Sequence, residues 1–141
     1  MSTAETNRYA QLFLRIALGA SFLSAVADRF GLWAAHAVWG NWANFLSYSL
    51  QLSFYLPDVL TEPVAIAATV AEVLLGILLV AGVWIRIIAT ASAVLLALFA
   101  LSMTVATGIK APLDYSVWTA CAASLLLAAI QPAVKNREEN L

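Results

Sequence analysis

The sequence predicts an all-α membrane protein: a bundle of four transmembrane helices, with an amphipathic interfacial segment between the first two. Of the 141 residues, 63% are hydrophobic and 11% are charged, whereas a soluble domain has about 45–50% apolar and about 25% charged residues. Long apolar runs recur along the chain, separated by turns that contain Gly, Pro or charged residues. The stretch between the first two runs is rich in Trp and Tyr, which favour the membrane–water interface.

The four apolar runs define one domain over residues 1–141. We predict helices at about residues 9–30, 61–83, 87–107 and 114–131. Thr61 and Asp114 are expected to cap the second and fourth of these helices. The fourth helix is the shortest, but its roughly 18 residues still extend about 27 Å along the helix axis.

Residues 31–60 form the predicted interfacial segment, which contains three Trp and two Tyr. Four of its residues repeat at helical spacing: Phe45, Tyr48, Leu52 and Tyr55. Over residues 49–54, however, polar and apolar side chains alternate with the period of a strand. We predict a helix over residues 38–52, within an amphipathic lid that lies on one membrane surface.

The first apolar run has two interpretations. Ala25-Val26-Ala27 resembles the cleavage site of a secretory signal peptide, because it follows an apolar stretch. Against cleavage, Glu5 lies where a signal peptide is basic, and Arg15 lies late for that basic region. Three further apolar runs also make a cleaved signal unnecessary for membrane targeting, so we favour a retained first helix.

The distribution of basic residues predicts a protein of the cell inner membrane with both termini cytoplasmic. With four spans, the termini and the 84–86 turn lie on the same side. That side holds five basic residues: Arg8, Arg15, Arg86, Lys135 and Arg137. The other side holds Arg29 and Lys110. Since cytoplasmic loops carry the excess of Lys and Arg, the amphipathic lid is expected to face outward.

Glu72 is the central candidate for a functional residue, because it is the one charge between Glu62 and Trp84. A carboxylate near the bilayer midplane costs roughly 2.5–3.5 kcal/mol on insertion scales and by default indicates a functional site. Its helix face is made of small residues: Ala65, Ala68 and Gly76. Small residues are typical of contacts between helices in lipid. We therefore expect Glu72 inside the bundle, where it binds a ligand, relays protons, holds a cation or links two helices.

Five other residues are candidates for the same site. Arg15 is the candidate catalytic partner and counter-charge of Glu72, or alternatively an anchor to cytoplasmic headgroups, because it lies nearer the membrane surface. Four candidate ligand-binding residues lie towards the outer side: Asp28, Arg29, Trp39 and Trp42. The two charged residues either line a site beneath the lid or contact interfacial water. The two indole rings either stack on a flat ligand or anchor the lid in the interface.

Several kinds of chemistry have no support in the sequence. Cys121 is the one cysteine, so there is no C-x-x-C pair and no internal disulfide. His36 is the one histidine, and no metal site is predicted. The net charge of −1 gives no basic surface for nucleic acid. No bound redox centre is visible, so electrons would have to come from a partner or a substrate, and the cofactor is left unknown.

Three segments resemble the DoxX family of four-helix membrane proteins. They are LRIALGASFLSAVADRFG (14–31), AEVLLGILLVAGVWIRIIATASAVLLALFAL (71–101) and KAPLDYSV (110–117). The resemblance implies a membrane subunit of a redox system and places the charged positions of that family at Arg15, Glu72 and Arg86. The cysteine pairs with which some similar proteins act on thiols are missing from this sequence.

Three functional hypotheses follow. The leading one is a redox-system subunit that handles a quinone or another lipophilic ligand near Glu72, with the lipid bilayer and a redox protein as partners. The second is a non-catalytic scaffold that docks a partner protein. The third is a small transporter with Glu72 in a proton or ion path, which four spans would support only as a homo-oligomer.

Overall fold

The computed structural model describes residues 3–131, and all regular structure in this range is helical. In chain order the elements are α1 (Thr3–Arg29), a 3-10 turn (Ala34–His36), α2 (Trp42–Leu52), α3 (Asp58–Ala81), α4 (Ile85–Thr107), α5 (Lys110–Asp114) and α6 (Val117–Ala129). Three of these helices are long and apolar enough to cross a membrane: α1 from Asn7, α3 and α4. The predicted helical membrane protein is thus confirmed, with three candidate spans. The polar tail 135–141 lies outside the described residues.

The fourth predicted helix differs most from the expectation. Instead of one helix from 114 to 131, the chain forms α5 and then α6, with Ser116 between them at a φ of 57°. Asp114 does not cap α6, because its carboxylate is paired with Lys110 inside α5. With 13 residues, α6 extends about 20 Å, which is less than the roughly 30 Å of a bilayer's hydrocarbon core. A fourth span therefore remains a prediction.

The start of α3 corrects a second predicted cap. The helix begins at Asp58, directly after Pro57, and Thr61 lies inside its first turns. The Thr61 side chain is buried and shares a hydrogen bond of 3.1 Å with the hydroxyl of Ser53. At the other end, Gly82 adopts a φ of 77°, the left-handed conformation that commonly ends a helix.

The lid segment contains a shorter helix than the sequence predicted. Its helix α2 begins after Asn41, whose side-chain oxygen accepts a hydrogen bond of 2.8 Å from the backbone N–H of Asn44. Residues 38 and 39 lie before α2, because Gly40 adopts a φ of 73° that interrupts a right-handed helix. Their N–H groups are bound to the carboxylate of Asp28. The helical period is confirmed over the strand-like alternation at 49–54, since residues 42–52 are helical.

Helices α1 and α3 pack against each other in antiparallel orientation, and they cross closely at Gly19 and Gly76. A Cβ atom built on Gly19 would lie 2.7 Å from the carbonyl oxygen of Gly76, so a larger residue does not fit without a backbone shift. The face of α1 that carries Arg15, Gly19 and Phe22 packs against the bundle. Small residues permit this approach, as is usual for helices in lipid.

Helix α6 packs along α4 and reaches back towards the start of α1. The Cys121 thiol is buried and donates a hydrogen bond to the carbonyl of Ala93 at 3.3 Å. The side chain of Gln131 donates to that of Gln11 at 3.1 Å. The hydrophobic core joins α1, α3, α4 and α6 through Leu18, Phe22, Leu75, Leu79, Ile88, Ala89, Leu127 and Ala128.

Candidate functional site

An ion pair between Arg29 and Glu72 lies at the centre of the structure. Each residue is only 3% exposed to solvent. The guanidinium also donates a hydrogen bond of 2.6 Å to the hydroxyl of Thr69, which in turn donates to the carbonyl of Ala65 at 2.8 Å. Because side chains lean towards the N-terminus of their helix, the long Arg29 side chain at the end of α1 reaches down to the level of Glu72. The pair therefore links α1 to α3.

Aromatic side chains of the lid segment cover the guanidinium. The Cζ atom of Arg29 lies 4.0 Å from the ring centroid of Phe45 and 5.8 Å from that of Trp39. A cation in this position is attracted by the electron-rich ring faces, and the attraction grows when water is excluded. The Nε atom of Arg29 is buried and has no hydrogen-bond partner within residues 3–131. The cation is thus held on one side by Glu72 and on the other by rings.

A cavity of about 750 Å³ begins at the ion pair and extends between α2, α3 and α4. It exists because α1 ends at Arg29, whereas α3 continues beyond the level of the pair to Asp58. The cavity's surface is mostly apolar, with a few hydroxyl groups. Among the residues that line it are Tyr48, Ser49, Tyr55, Ala68, Phe99 and Tyr115. Such a lining is typical of sites for lipophilic small molecules.

Several residues that line the cavity are strongly exposed. Val64 (49%) and Leu98 (57%) lie on the flank between α3 and α4, whereas Val38, Tyr55 and Tyr115 lie in the lid segment and the turn between α5 and α6. Both helices are long and apolar enough to cross a membrane, so apolar side chains exposed on them are expected to face lipid. The flank of the cavity between α3 and α4 therefore lies next to the acyl chains, and the ion pair lies at the buried end.

Arg15 is not placed beside Glu72. Its Nε donates to the carbonyl of Leu79 at 3.0 Å, and a terminal nitrogen donates to the carbonyl of Val80 at 3.1 Å. These carbonyls lie in the last turn of α3, where the helix has no intrahelical donors left for them. The structure brings Arg29, and not Arg15, to the carboxylate. The predicted catalytic role of Arg15 therefore has no geometric support at Glu72.

Asp28 shapes the loop that follows α1. Its two carboxylate oxygens accept hydrogen bonds of 2.8 Å from the N–H groups of Val38 and Trp39. The same carboxylate borders a second, shallower pocket with Trp33 and His36. Asp28 thus holds the lid segment in place over its neighbour Arg29 and is not among the residues that line the larger cavity.

The two candidate tryptophans occupy different positions. Trp39 lines the cavity and contacts Phe45 edge-on, with ring centroids 5.2 Å apart. Trp42 stacks on Phe30 with centroids 6.0 Å apart and an interplanar angle of 14°, and it is not among the cavity-lining residues. Of these two rings, only Trp39 is placed to contact a ligand.

Sequence reasoning missed several residues of the site. Thr69 lies three residues before Glu72 on the same helix face, so the face argument could have found it. Phe45 and Tyr48 belong to the helical repeat of the lid segment, which signalled a common face but not what that face covers. Burial raises the pKa of the Tyr48 phenol above its ordinary value, with a smaller contribution from Tyr115. Tyr48 is therefore neutral at physiological pH.

Fold and site together define a helical membrane protein with a buried ion pair at the end of a lipid-facing cavity. Comparison with known families gives a match to the model described as methylamine utilisation protein MauE, over residues 7–114. The match extends from α1 through α5 and covers well over half of the chain. The chain belongs to the MauE family.

The resemblance to the DoxX family was wrong, because the family match is to MauE. The segments that suggested DoxX contain apolar helices with small residues and isolated charges, features that close helix packing in lipid favours in any small bundle. No curated protein and no solved structure matches the chain significantly.

Proposed function

We propose that this protein is a membrane component of a methylamine utilisation system and that it binds a lipophilic ligand in the cavity next to Arg29 and Glu72. Membership of the MauE family supports the first part. The observation that carries the second part is the cavity of about 750 Å³ with a buried ion pair at its closed end. This volume lies within the roughly 300–1,000 Å³ of ordinary ligand sites.

Methylamine itself is a poor match to this cavity in both size and charge. It has two heavy atoms, so its volume is on the order of 60 Å³ if each atom takes the share of one water molecule. At neutral pH it is a cation, and the Glu72 carboxylate is already paired with the guanidinium of Arg29. A second cation would meet repulsion there. The geometry therefore favours a larger, apolar molecule as the ligand.

A quinone is the first ligand class to test, and with it a role as a redox subunit. A flat ring can lie against the aromatic residues Trp39, Phe45 and Tyr48, which line the cavity. A ring carbonyl can accept a hydrogen bond from Arg29, while Glu72 and Thr69 hold that side chain in place. In this proposal the two charged residues orient the ligand, and a redox partner protein supplies or removes electrons.

The test is mass spectrometry of small molecules extracted from gently purified protein, wild type beside Glu72→Gln. We expect a lipophilic ring compound to copurify with the wild type and to be depleted in the variant. Asp114→Asn, which breaks the exposed Lys110–Asp114 pair instead, should retain the compound. Equal amounts in wild type and Glu72→Gln would contradict the proposal.

A scaffold function is the alternative, and the internal bonding of the ion pair favours it. Arg29 binds Glu72 and Thr69, and the neighbouring Asp28 binds the lid backbone. Under this alternative, the bonds hold α1, α2 and α3 together so that a partner protein can dock, and the cavity binds no ligand. In that case Glu72→Gln lowers the melting temperature, and no small molecule is found with either form.

A transport path through Glu72 has less support. A proton or cation path would need this carboxylate to be free to exchange its partner, whereas Arg29 occupies it and is itself covered by aromatic rings. Homo-oligomerisation, which that hypothesis required, stays a prediction.

The proposed topology has α6 as a fourth crossing and both termini in the cytoplasm of a cell with an inner membrane. The hydrogen bond between Gln131 and Gln11 supports it, because the end of α6 then lies at the level of the start of α1. The short α6 would require local thinning of the bilayer or a contribution from the residues around α5.

A further inference from the structure

The charges at the closed end of the cavity and the position of its opening restrict the ligand further. We infer that the cavity takes a neutral amphiphile whose headgroup both accepts and donates hydrogen bonds, and that this molecule enters from the bilayer between α3 and α4. The inference rests on the proposed function, since it specifies the ligand class of the same cavity.

The first argument is electrostatic. Arg29 and Glu72 carry opposite charges and are in direct contact, so the closed end of the cavity has no net charge. An anionic headgroup would be attracted by the guanidinium and repelled by the carboxylate, and a cationic headgroup would experience the reverse. Either ion would also have to leave water for a mostly apolar cavity, where an uncompensated charge is costly. A neutral headgroup avoids both penalties.

The second argument concerns hydrogen bonding. The pair presents a donor and an acceptor side by side, and the buried Nε of Arg29 has no partner within residues 3–131. A headgroup oxygen can accept from Arg29, while a headgroup N–H or O–H donates to Glu72. A purely apolar molecule would leave these groups unsatisfied, which is unfavourable in a low-dielectric site.

The third argument concerns the route of entry. On the α3 side the cavity is lined by small residues, Ala67, Ala68 and Ala71, and on the α4 side by Leu95 and Leu98. Ala67 and Leu98 are exposed, so the short alanine side chains between the two helices define the slot that serves as the entrance. Because this slot faces the acyl chains, a molecule with an alkyl chain can place its headgroup at the pair and leave its chain among the lipids.

The experiment compares three probes that share a hexadecyl chain and differ only in the headgroup: heptadecanamide, hexadecanesulfonate and hexadecylammonium. Each is added to the full chain in lipid nanodiscs at neutral pH, and mass spectrometry measures the excess retained over empty nanodiscs. For the wild type we expect the amide to be retained at least about tenfold more than either ion, a ratio that corresponds to about 1.4 kcal/mol.

Charge variants test whether the ion pair sets this preference. Glu72→Gln leaves Arg29 as a lone cation and should shift the preference towards the sulfonate, whereas Arg29→Gln should shift it towards the ammonium probe. The double variant Arg29→Gln/Glu72→Gln is neutral again and should return to the amide. It also serves as the folding control, since replacing both members of a buried pair is tolerated better than removing one.

The entry route is tested with Ala68→Phe, whose ring narrows the slot. Ala68 lies one turn before Glu72, and because side chains lean towards the N-terminus of their helix, the ring points away from the ion pair. We expect this variant to reduce amide retention to the background level while the melting temperature stays within a few degrees of the wild type. Retention of no probe by the wild type would overturn the proposed function itself. Retention of all three probes equally, or an unchanged preference in both single charge variants, would overturn this inference and leave a lipophilic cavity in place. Undiminished retention by Ala68→Phe would overturn the entry route.

Discussion

At the scale of single residues, Arg29 and Glu72 each offset the free-energy cost of burying the other's charge. Each is 3% exposed, and an isolated charge in such a position costs several kcal/mol. Direct contact, the hydroxyl of Thr69 and the ring of Phe45 offset this cost from different directions. Removing one member leaves the other as an uncompensated charge, so the consequences should be asymmetric between single and double substitutions.

We therefore predict that Arg29→Ala lowers the free energy of unfolding by about 3–5 kcal/mol, the cost of breaking a buried pair from one side. Thermal unfolding in detergent measures the change. Lys110→Ala removes a cation from the exposed pair with Asp114 and should change stability by less than about 1 kcal/mol. Similar losses in the two variants would mean that the Arg29–Glu72 pair does not carry a buried charge.

The sequence indicated Glu72 as the central residue, and its small-residue helix face agrees with the structure. The partner was harder to predict. Arg15 lies nearer the membrane surface than Glu72, which weakens its prediction as the partner. Arg29 is predicted, with Asp28, either to line a site beneath the lid or to contact interfacial water, and not to pair with Glu72. The missing information was the direction of the Arg29 side chain, which runs back along α1, and the tilt that brings Gly19 against Gly76. Neither can be read from residue spacing.

At the scale of helices, Arg15 completes the end of α3. Its two hydrogen bonds go to carbonyls of Leu79 and Val80, and a cation at a helix C-terminus also interacts favourably with the helix dipole. The neighbouring Gly82 is part of the same arrangement, because a Cβ there would collide with the Arg15 guanidinium.

We predict that Arg15→Gln destabilises the protein by about 1–2 kcal/mol, the loss expected when a charged donor is removed from partly buried carbonyls. Arg86→Gln removes an exposed arginine near the same end of the bundle and serves as the matched control, with a change within about 0.5 kcal/mol. Ligand retention should be unaffected by Arg15→Gln. Loss of the ligand with an unchanged melting temperature would restore Arg15 as a site residue.

The crossing of α1 and α3 gives a further prediction. Gly19→Ala places a methyl group 2.7 Å from the backbone oxygen of Gly76 and 2.7 Å from a Val80 methyl. Because the backbone has to shift, we expect a loss of about 1–3 kcal/mol in unfolding free energy. Ala17→Val adds volume on the exposed face of the same helix and should leave stability almost unchanged. No effect of Gly19→Ala would show that the helices cross less closely than described.

The helices themselves were predictable to different degrees. The three long apolar runs have a strong signal, and their ends agree with the structure within a few residues, apart from the earlier start of α1 at Thr3. The α5–α6 region could not be predicted, because its break depends on a left-handed backbone at Ser116. The start of α2 has a local signal in Gly40 and the Asn41 cap. The placement of residues 38 and 39 depends on long-range bonds from Asp28, which a local pattern does not contain.

At the scale of the whole molecule, the cavity follows from helices of unequal reach. Beyond Arg29 the chain leaves the bundle and returns as α2, so the upper part of α3 and α4 is covered by an aromatic helix and not by a full span. The same arrangement puts one flank of the cavity between α3 and α4 and the ion pair at the buried end. The cavity is therefore a consequence of how the helices pack.

The proposed topology, with α6 as a fourth crossing, leads to the fourth prediction. Cysteines are introduced one at a time, in a Cys121→Ala background, in place of Arg8, Arg86, Lys110 or Ile130. The cysteines at positions 8, 86 and 130 should react with a membrane-impermeant maleimide from the cytoplasmic side, and the cysteine at position 110 from the opposite side. The antiparallel packing of α1 and α3 requires residues 8 and 86 to share a side, and the Gln11–Gln131 bond places the end of α6 with them. Labelling of positions 110 and 130 from the same side would show that α6 does not cross the membrane.

The most direct test of the central claim, a ligand cavity next to the Arg29–Glu72 pair, is native mass spectrometry of the protein released from lipid nanodiscs, wild type beside Ala68→Phe. The phenyl group would occupy the part of the cavity along the slot and point away from the ion pair, since side chains lean towards the N-terminus of their helix. We predict a bound neutral molecule on the wild type that is missing from the equally stable variant. A wild-type mass equal to that of the bare chain, or the same bound mass on both proteins, would contradict the account.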